Sequence, residues 1–91
     1  MRLRWTPAAP DDLEAIASYL AKHFPSFMEG TIRKIYGTIV TLRSTPNRGR
    51  VGREEGTHEL VIVGLPNIFV YRIRNDALEV LHIYHGAQNR P

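Results

Sequence analysis

Three apolar runs dominate the last third of the chain, at residues 60–63, 68–71 and 78–85. Short turn-forming stretches separate them, at residues 64–67 and at Asn75-Asp76. β-branched and aromatic residues favour strands, and short loops of this composition join antiparallel neighbours. The pattern predicts a three-stranded antiparallel meander between Glu59 and His85.

The first half of the chain has helical periodicity instead. After a short alternating stretch at residues 2–5, an apolar stripe predicts a helix whose firm part starts at Pro10, with Thr6-Pro7 as a lead-in. This stripe consists of Leu13, Ile16, Ala17, Leu20 and Phe24. Pro25 ends the helix, and a capping pattern at Ser26 begins a second one that closes at Pro46. The second stripe consists of Ile32, Ile35, Ile39 and Leu42.

These elements define one fold class. Their order is β-α-α-β-β-β, which predicts an α+β fold with a helical hairpin packed on one face of a small antiparallel sheet. The chain has 91 residues with no repeat and no linker, so we expect a single domain over residues 1–91.

The turn at Asn75-Asp76 predicts how the side chains divide between the two faces of the sheet. A two-residue turn pairs Arg72 with Glu79 and Val70 with Leu81. We expect the helices to cover the face with the bulkier rings, namely Phe69, Tyr71, Ile73, Leu78, Val80, His82 and Tyr84. The other face would then carry an apolar patch of Ile68, Val70, Leu81 and Ile83, rimmed by Arg72, Glu79 and His85.

An apolar patch on such a small domain indicates a surface that binds a partner. The alternative is that the patch is covered within the chain, by residues 86–91 or by the loop at residues 47–56. We expect the patch to bind a partner.

Charge adds a candidate for recognition of an anion. The net charge is +3, and ten of the twelve basic residues are arginine, which suits bidentate contact with phosphate or carboxylate. The loop at residues 47–56 contains Arg48, Arg50 and Arg53, followed by Glu54 and Glu55. It is either a solvated connector with internal charge pairing or a flexible basic loop that meets phosphate.

Composition excludes several classes of protein. Cysteine is absent, so disulfides and thiolate sites are excluded. No apolar run approaches the roughly 20 residues that span a bilayer, and no signal peptide is present, so we expect a cytoplasmic protein without membrane contact. None of the histidines lies in a metal-binding motif, and no dinucleotide or phosphate-loop fingerprint occurs, so no metal or cofactor is expected.

Candidate chemistry lies at the end of the last strand. A histidine at position 85 could act as a general acid or base, and Arg72 with Arg50 and Arg53 could hold a phosphate. Such a set suits metal-free RNA cleavage through the 2′-hydroxyl. The alternative is that His85 is structural. We expect His82, on the core face, to be a packed, hydrogen-bonded residue rather than a catalyst, and His23 to be structural at a helix end.

The chain resembles toxins of the RelE/ParE superfamily, the toxic half of type II toxin–antitoxin pairs. The matching stretches lie in order along nearly the whole length, at residues 5–8, 12–16, 19–20, 42, 46–50, 56–62, 70–73 and 83–88. The resemblance implies a helical hairpin on a small antiparallel sheet. It also implies a cognate antitoxin, whose disordered and often acidic segment wraps the toxin and would cover Ile68, Val70, Leu81 and Ile83.

The superfamily divides by mechanism. RelE-like members cut mRNA in the ribosomal A site with arginine or lysine and a C-terminal His or Tyr, and Tyr84 and His85 fall at that position. ParE-like members poison DNA gyrase. Ile68 replaces the arginine of RNA-cutting relatives before the middle-strand Val-Tyr, and His58 replaces an arginine in the Gly-Thr-Arg-Glu-Leu motif.

Three functions follow from the resemblance. The favoured one is a gyrase-directed toxin. The alternatives are a ribosome-dependent mRNA endonuclease with Arg72, Tyr84 and His85 as catalytic residues, and a non-toxic binding module. In either toxin, the residues expected to contact the target are Arg48, Arg50, Arg53 and His58.

Overall fold

A computed structural model, which describes residues 1–85, places two helices on one face of a five-stranded sheet. The elements in chain order are β1 (Arg2–Trp5), α1 (Ala8–His23), α2 (Pro25–Leu42), β2 (Arg50–Val51), β3 (His58–Val61), β4 (Asn67–Arg74) and β5 (Ala77–His85). The predicted α+β class and the helical hairpin are confirmed. Within residues 1–85, neither helix has the length and apolar character needed to cross a membrane.

The sheet is mixed, whereas a wholly antiparallel sheet was predicted. Its strand order is β1-β5-β4-β3-β2, and β1 runs parallel to β5 while all other pairs are antiparallel. The two helices form a long connection between β1 and the later strands. Parallel strands need such a long connection, so β1 can pair in parallel with β5. The fifth strand is β2, which pairs two residues of the arginine-rich loop with β3.

Both helices begin at a proline-containing turn and lack a side-chain cap. α1 starts at Ala8, before the expected Pro10, because a proline in the first turn sacrifices no intrahelical hydrogen bond. Thr6 is not its cap. Instead its hydroxyl donates to the carbonyl oxygens of Val80 at 2.9 Å and Leu81 at 3.1 Å.

The core lies between α2 and the central strands. Its buried members are Ala9, Ile35, Ile39, Leu42, Ile62, Phe69, Tyr71, Leu78, Val80 and Ile83. The apolar stripe predicted for α2 supplies three of them, and Leu13 and Ile16 of α1 pack against the cluster. Burial of these faces is the main stabilising contribution to the fold.

The turn between β4 and β5 has the predicted form. Asn75 and Asp76 both adopt positive φ, 53° and 59°, which matches the twist of a two-residue hairpin. Arg72 pairs with Glu79, as predicted.

Beyond that turn the register changes at a β-bulge. Tyr71 pairs with Val80, but Val70 pairs with His82, so Leu81 is an extra residue in β5. One extra residue moves every following side chain to the opposite face. Ile83 therefore lies in the core, only 3% exposed, and His82 lies opposite Val70 on the other face.

Thr6, just before α1, and Asp12 of α1 hold the bulge in place. The Thr6 hydroxyl reaches two successive carbonyl oxygens of β5, which point the same way because of the bulge. Asp12 accepts a hydrogen bond from the backbone N–H of Ile83 at 3.0 Å, and its carboxylate lies 3.1 Å from Nδ1 of His82. These hydrogen bonds thus hold β5 both at Val80 and Leu81 and just after the bulge, at Ile83.

Candidate functional site

The face of the sheet turned away from the helices, here the open face, carries charge rather than an apolar patch. It contains arginines and glutamates from all five strands, including Arg4, Arg50, Glu59, Arg72 and Glu79. Both glutamates are buried, with Glu59 5% and Glu79 6% exposed. Carboxylates are buried in this way only when they are paired.

Glu79 forms ion pairs with arginines of two neighbouring strands. Arg72 donates from Nε to its carboxylate at 2.6 Å, and Arg4 lies 3.5 Å away on β1. The hydrogen bond from Arg72 lowers the pKa of Glu79, burial opposes this, and the charges of Arg72, Arg4 and Arg74 lower it further. Glu79 is therefore ionised in the folded protein at neutral pH.

This pairing makes stability depend on pH. The pKa of Glu79 lies below its usual 4.5 in the folded chain, so its ionised form stabilises the fold above that value. We expect the difference in melting temperature between the wild type and Glu79→Gln to be largest at about pH 6 and to shrink as pH falls toward about 3. Thermal unfolding at several pH values measures it.

Glu29→Gln is the matched control for Glu79→Gln. Glu29 pairs with Arg33 on the exposed surface of α2, where an ion pair contributes little. That variant should follow the wild type at every pH. A difference for Glu79→Gln that stayed constant down to about pH 3 would contradict a lowered pKa of Glu79.

Glu59 organises the arginine-rich loop. Its carboxylate lies 3.4 Å from the guanidinium of Arg50 and accepts a hydrogen bond from the backbone N–H of Arg53 at 3.2 Å. The alternative of a connector with internal charge pairing thus describes Arg50 well. However, the partner is Glu59 of β3 and not the expected Glu54 or Glu55.

Arg48 and His58, the other residues predicted to contact the target, lie elsewhere. The Arg48 guanidinium donates to the hydroxyl of Thr41 on α2 at 3.3 Å. The ring of His58 stacks on Tyr71, with 5.3 Å between centroids, and its Nδ1 is enclosed. The structure therefore places the residues expected to contact the target in different surroundings, with Arg48 beside α2, Arg50 and Arg53 at Glu59, and His58 against Tyr71.

A cavity of about 310 Å³ opens on the open face beside these networks. It is lined by Thr6, Arg53, Glu54, Thr57, Glu59, Val70, Arg72, Leu81, His82 and Tyr84. The His82 ring stacks on Tyr84 with 5.1 Å between centroids, and Asp12 holds its Nδ1. A carboxylate that orients an imidazole beside an arginine is an arrangement suited to acid–base chemistry.

The predicted catalytic set is therefore only partly assembled. Arg72 and Tyr84 share the cavity. The placement of Tyr84 on the helix-covered face is wrong, because the bulge turns it to the open face. His85 does not share the cavity, because the bulge turns it to the helix-covered side, where it lines a different cavity with Ile83 and residues of α1. The placement of His82 on the core face is wrong for the same reason, whereas the expected hydrogen bond is present, to Asp12.

The predicted apolar patch is also divided. Val70 is buried, Ile83 belongs to the core, and Ile68 and Leu81 are half-buried. The placement of Ile83 on the open face is wrong, since the bulge reverses it. These four residues do not form a continuous exposed surface.

Sequence reasoning missed Asp12, Glu59 and His82. Asp12 lies in a stretch that carried the family resemblance, but its partners are 70 and 71 residues away in β5. For Glu59, the signal was a lone acidic residue opposite Val70, next to the apolar pair Leu60 and Val61. For His82 no signal existed, because its face depends on the bulge.

A family model described as "ParE toxin of type II toxin-antitoxin system, parDE" matches residues 3–90. The chain belongs to this family, and it is the toxin of a ParDE-type system with a cognate antitoxin.

Individual relatives agree with this membership. The chain is 36% identical over 90 residues to "Putative toxin Y4kP" of Sinorhizobium fredii (strain NBRC 101917 / NGR234), covering 99% of this chain and 93% of that protein. Its fold is similar to that of a chain in the structure "Chromosomal ParDE TA system from P. aeruginosa", with a TM-score of 0.85 at 23% identity, covering 93% of this chain and 95% of that one.

Proposed function

We propose that this toxin arrests growth in the cytoplasm by acting on DNA gyrase, is neutralised by its cognate antitoxin, and does not cleave mRNA. Membership of the ParE family favours this target. The observation that carries the proposal is the pairing of the open-face arginines with two buried glutamates.

Cleavage of RNA without a metal needs cations that face the scissile phosphate and neutralise its developing charge. Here Arg72 is bound to Glu79 and Arg50 to Glu59. Each carboxylate cancels the charge of its arginine and would repel a phosphate placed above it. Ile68 adds an apolar side chain where RNA-cutting relatives hold an arginine, and an apolar group cannot neutralise a phosphate.

One observation favours mRNA cleavage as a second candidate function. The 310 Å³ cavity joins Arg72, Tyr84 and a histidine that a carboxylate orients. If the toxin cuts RNA, His82 rather than His85 would be its general acid or base, because only His82 faces that cavity.

The test is expression of the chain without its antitoxin, with three readouts. We expect growth arrest, stabilised gyrase–DNA cleavage complexes with the purified toxin, and no codon-linked breaks by primer extension on cellular mRNA. His82→Ala should retain arrest, since no proton transfer is needed. His23→Ala, at the end of α1, is the matched control.

Each alternative has its own signature. Codon-linked mRNA breaks that fall by about 100-fold or more in His82→Ala would establish the endonuclease and overturn the gyrase target. Normal growth during expression of a folded wild-type chain would instead indicate the non-toxic binding module.

A further inference from the structure

Four arginines flank strand β5 near the turn between β4 and β5, two of them on β1 and two on β4. The sheet register places them in two rows across neighbouring strands, which are Arg2–Ala77–Arg74 and Arg4–Glu79–Arg72. Neighbouring strands lie about 4.8 Å apart and alternate residues of one strand about 7 Å apart, so the four side chains leave the sheet within one compact patch. We call these four residues the arginine array.

The array lies on the open face. On β1, Leu3 packs against the core, and the ring of Trp5 lies 5.6 Å from that of Tyr36 on α2. Side chains alternate between the two faces of a strand, so Arg2 and Arg4 point away from the helices. They therefore share a face with the arginines of β4.

Positive charge exceeds negative charge in the array. Glu79 is the one carboxylate in its two rows, and its hydrogen bond from Arg72 neutralises that arginine. Glu79 is only 6% exposed, so an approaching anion meets guanidinium groups first. The other three arginines are exposed, namely Arg2, Arg4 and Arg74. Even with Asp76 of the adjoining turn counted, an excess of two positive charges remains.

Contacts within the fold orient two of the exposed arginines. The guanidinium of Arg4 lies 3.5 Å from the carboxylate of Glu79, and that of Arg2 donates to the carbonyl oxygen of Asn75 at 3.2 Å. A guanidinium has five N–H donors, so each of these contacts leaves donors for a further anion. Side chains that are already oriented lose less entropy on binding. The array is thus prepared to hold an anionic ligand.

The make-up of the array favours a phosphate backbone over other anions. Acidic protein segments are held mainly by anchoring apolar or aromatic contacts, and the one apolar residue in the two rows, Ala77, is fully buried. Single-stranded nucleic acids stack their bases on aromatic rings, which the two rows lack. Duplex DNA needs neither feature, and it presents one negative charge per about 1.7 Å of its axis.

We propose, building on the gyrase target above, that the arginine array binds the phosphate backbone of duplex DNA without sequence preference. Arg2, Arg4 and Arg74 contact phosphates, and Glu79 positions Arg4. The toxin then holds the DNA segment on which gyrase acts as well as the enzyme, which stabilises the cleavage complex.

The first test measures binding of the purified full-length toxin to a short labelled DNA duplex by fluorescence anisotropy. Each phosphate contact steepens the dependence of log affinity on log salt concentration by about 0.9. With three contacts, the wild type should lose about 40-fold in affinity between about 50 and 200 mM salt. Arg2→Gln/Arg74→Gln leaves both ion pairs of Glu79 in place, and it should lose only about 4-fold over that range.

The matched control is Lys22→Gln/Arg33→Gln, which removes the same charge from exposed positions on α1 and α2. It should keep the salt dependence of the wild type. An equal reduction in both double variants would show that net charge rather than the array holds DNA, and would overturn the proposal. Tighter wild-type binding to poly-glutamate or to single-stranded RNA than to the duplex would overturn it as well, assigning the array to an acidic protein segment or to RNA.

The second test titrates gyrase–DNA cleavage complexes with the same proteins. Arg2→Gln/Arg74→Gln should need about 10-fold more toxin than the wild type for half-maximal cleavage, whereas the control should need the wild-type amount. An unchanged requirement would overturn the role of the array at gyrase. If gyrase is not the target, no variant yields cleavage complexes while the anisotropy difference persists, so the two failures are distinguishable.

Discussion

Replacing Ile83 with alanine should lower the free energy of unfolding by about 2–5 kcal/mol, the range for a truncated, fully buried aliphatic side chain. Ile83 is 3% exposed and packs in the core, because the bulge at Leu81 turns it toward the helices. The lost methyl groups leave a cavity that rigid neighbours on β4 and α1 only partly close. Urea denaturation measures the change, with an unaltered m-value as the sign that both variants unfold from the same native state.

Leu81→Ala is the matched control for Ile83→Ala. Leu81 is half-buried on the open face, so its truncation should cost less than half as much. Under the uninterrupted register that the sequence predicted, both residues would share the open face and the two costs would be similar. Equal costs would therefore contradict the bulge.

Replacing Tyr71 with phenylalanine should cost about 1–3 kcal/mol of stability, the penalty for unsatisfied buried polar groups. The fully buried Tyr71 hydroxyl donates to the carbonyl oxygen of Pro46 at 2.6 Å and accepts from the N–H of Gly49 at 3.0 Å. Removing it leaves both backbone groups without this partner. The Pro46–Gly49 segment precedes Arg50, so the loop should also become more accessible to protease.

Tyr19→Phe is the control, because it deletes the same hydroxyl from a side chain that is 57% exposed, where water replaces any lost contact. It should change stability by less than about 0.5 kcal/mol. A similarly small effect for Tyr71→Phe would mean that water reaches the loop. Burial also raises the pKa of Tyr71, although the Gly49 hydrogen bond and the charge of Arg48 lower it in part. Because the pKa is raised, the hydroxyl stays protonated and can donate at neutral pH.

The loop at residues 46–50, one of the stretches that carried the family resemblance, packs closely against Tyr71 and Glu59. A Cβ added at Gly49 would lie 2.8 Å from the Tyr71 hydroxyl oxygen and 3.0 Å from the carbonyl oxygen of Glu59. A side chain there would force Tyr71 or the Glu59 backbone to shift, so packing favours glycine independently of any contact with phosphate. The flanking arginines in the motif then diverge, Arg48 toward α2 and Arg50 toward Glu59.

Much of the architecture was predictable because it depends on local pattern. The helical stripes, the Asn75-Asp76 turn and the pairing of Arg72 with Glu79 follow from periodicity and turn chemistry, which act between residues close in sequence. The parallel pairing of β1 with β5 could not be predicted in this way, because the alternation at residues 2–5 suits either direction of pairing. The strand β2 was missed because two residues carry no period.

The sequence predicted the faces of the side chains in the candidate site correctly only up to the bulge at Leu81. The sequence alone determined the family, the helical hairpin and the meander. Tertiary structure decided that Tyr84 and His82 join Arg72, since Thr6, just before α1, and Asp12 of α1 stabilise an extra residue at Leu81. That single insertion exchanges His82 with His85 and buries Ile83, because side chains alternate between faces with a period of two residues.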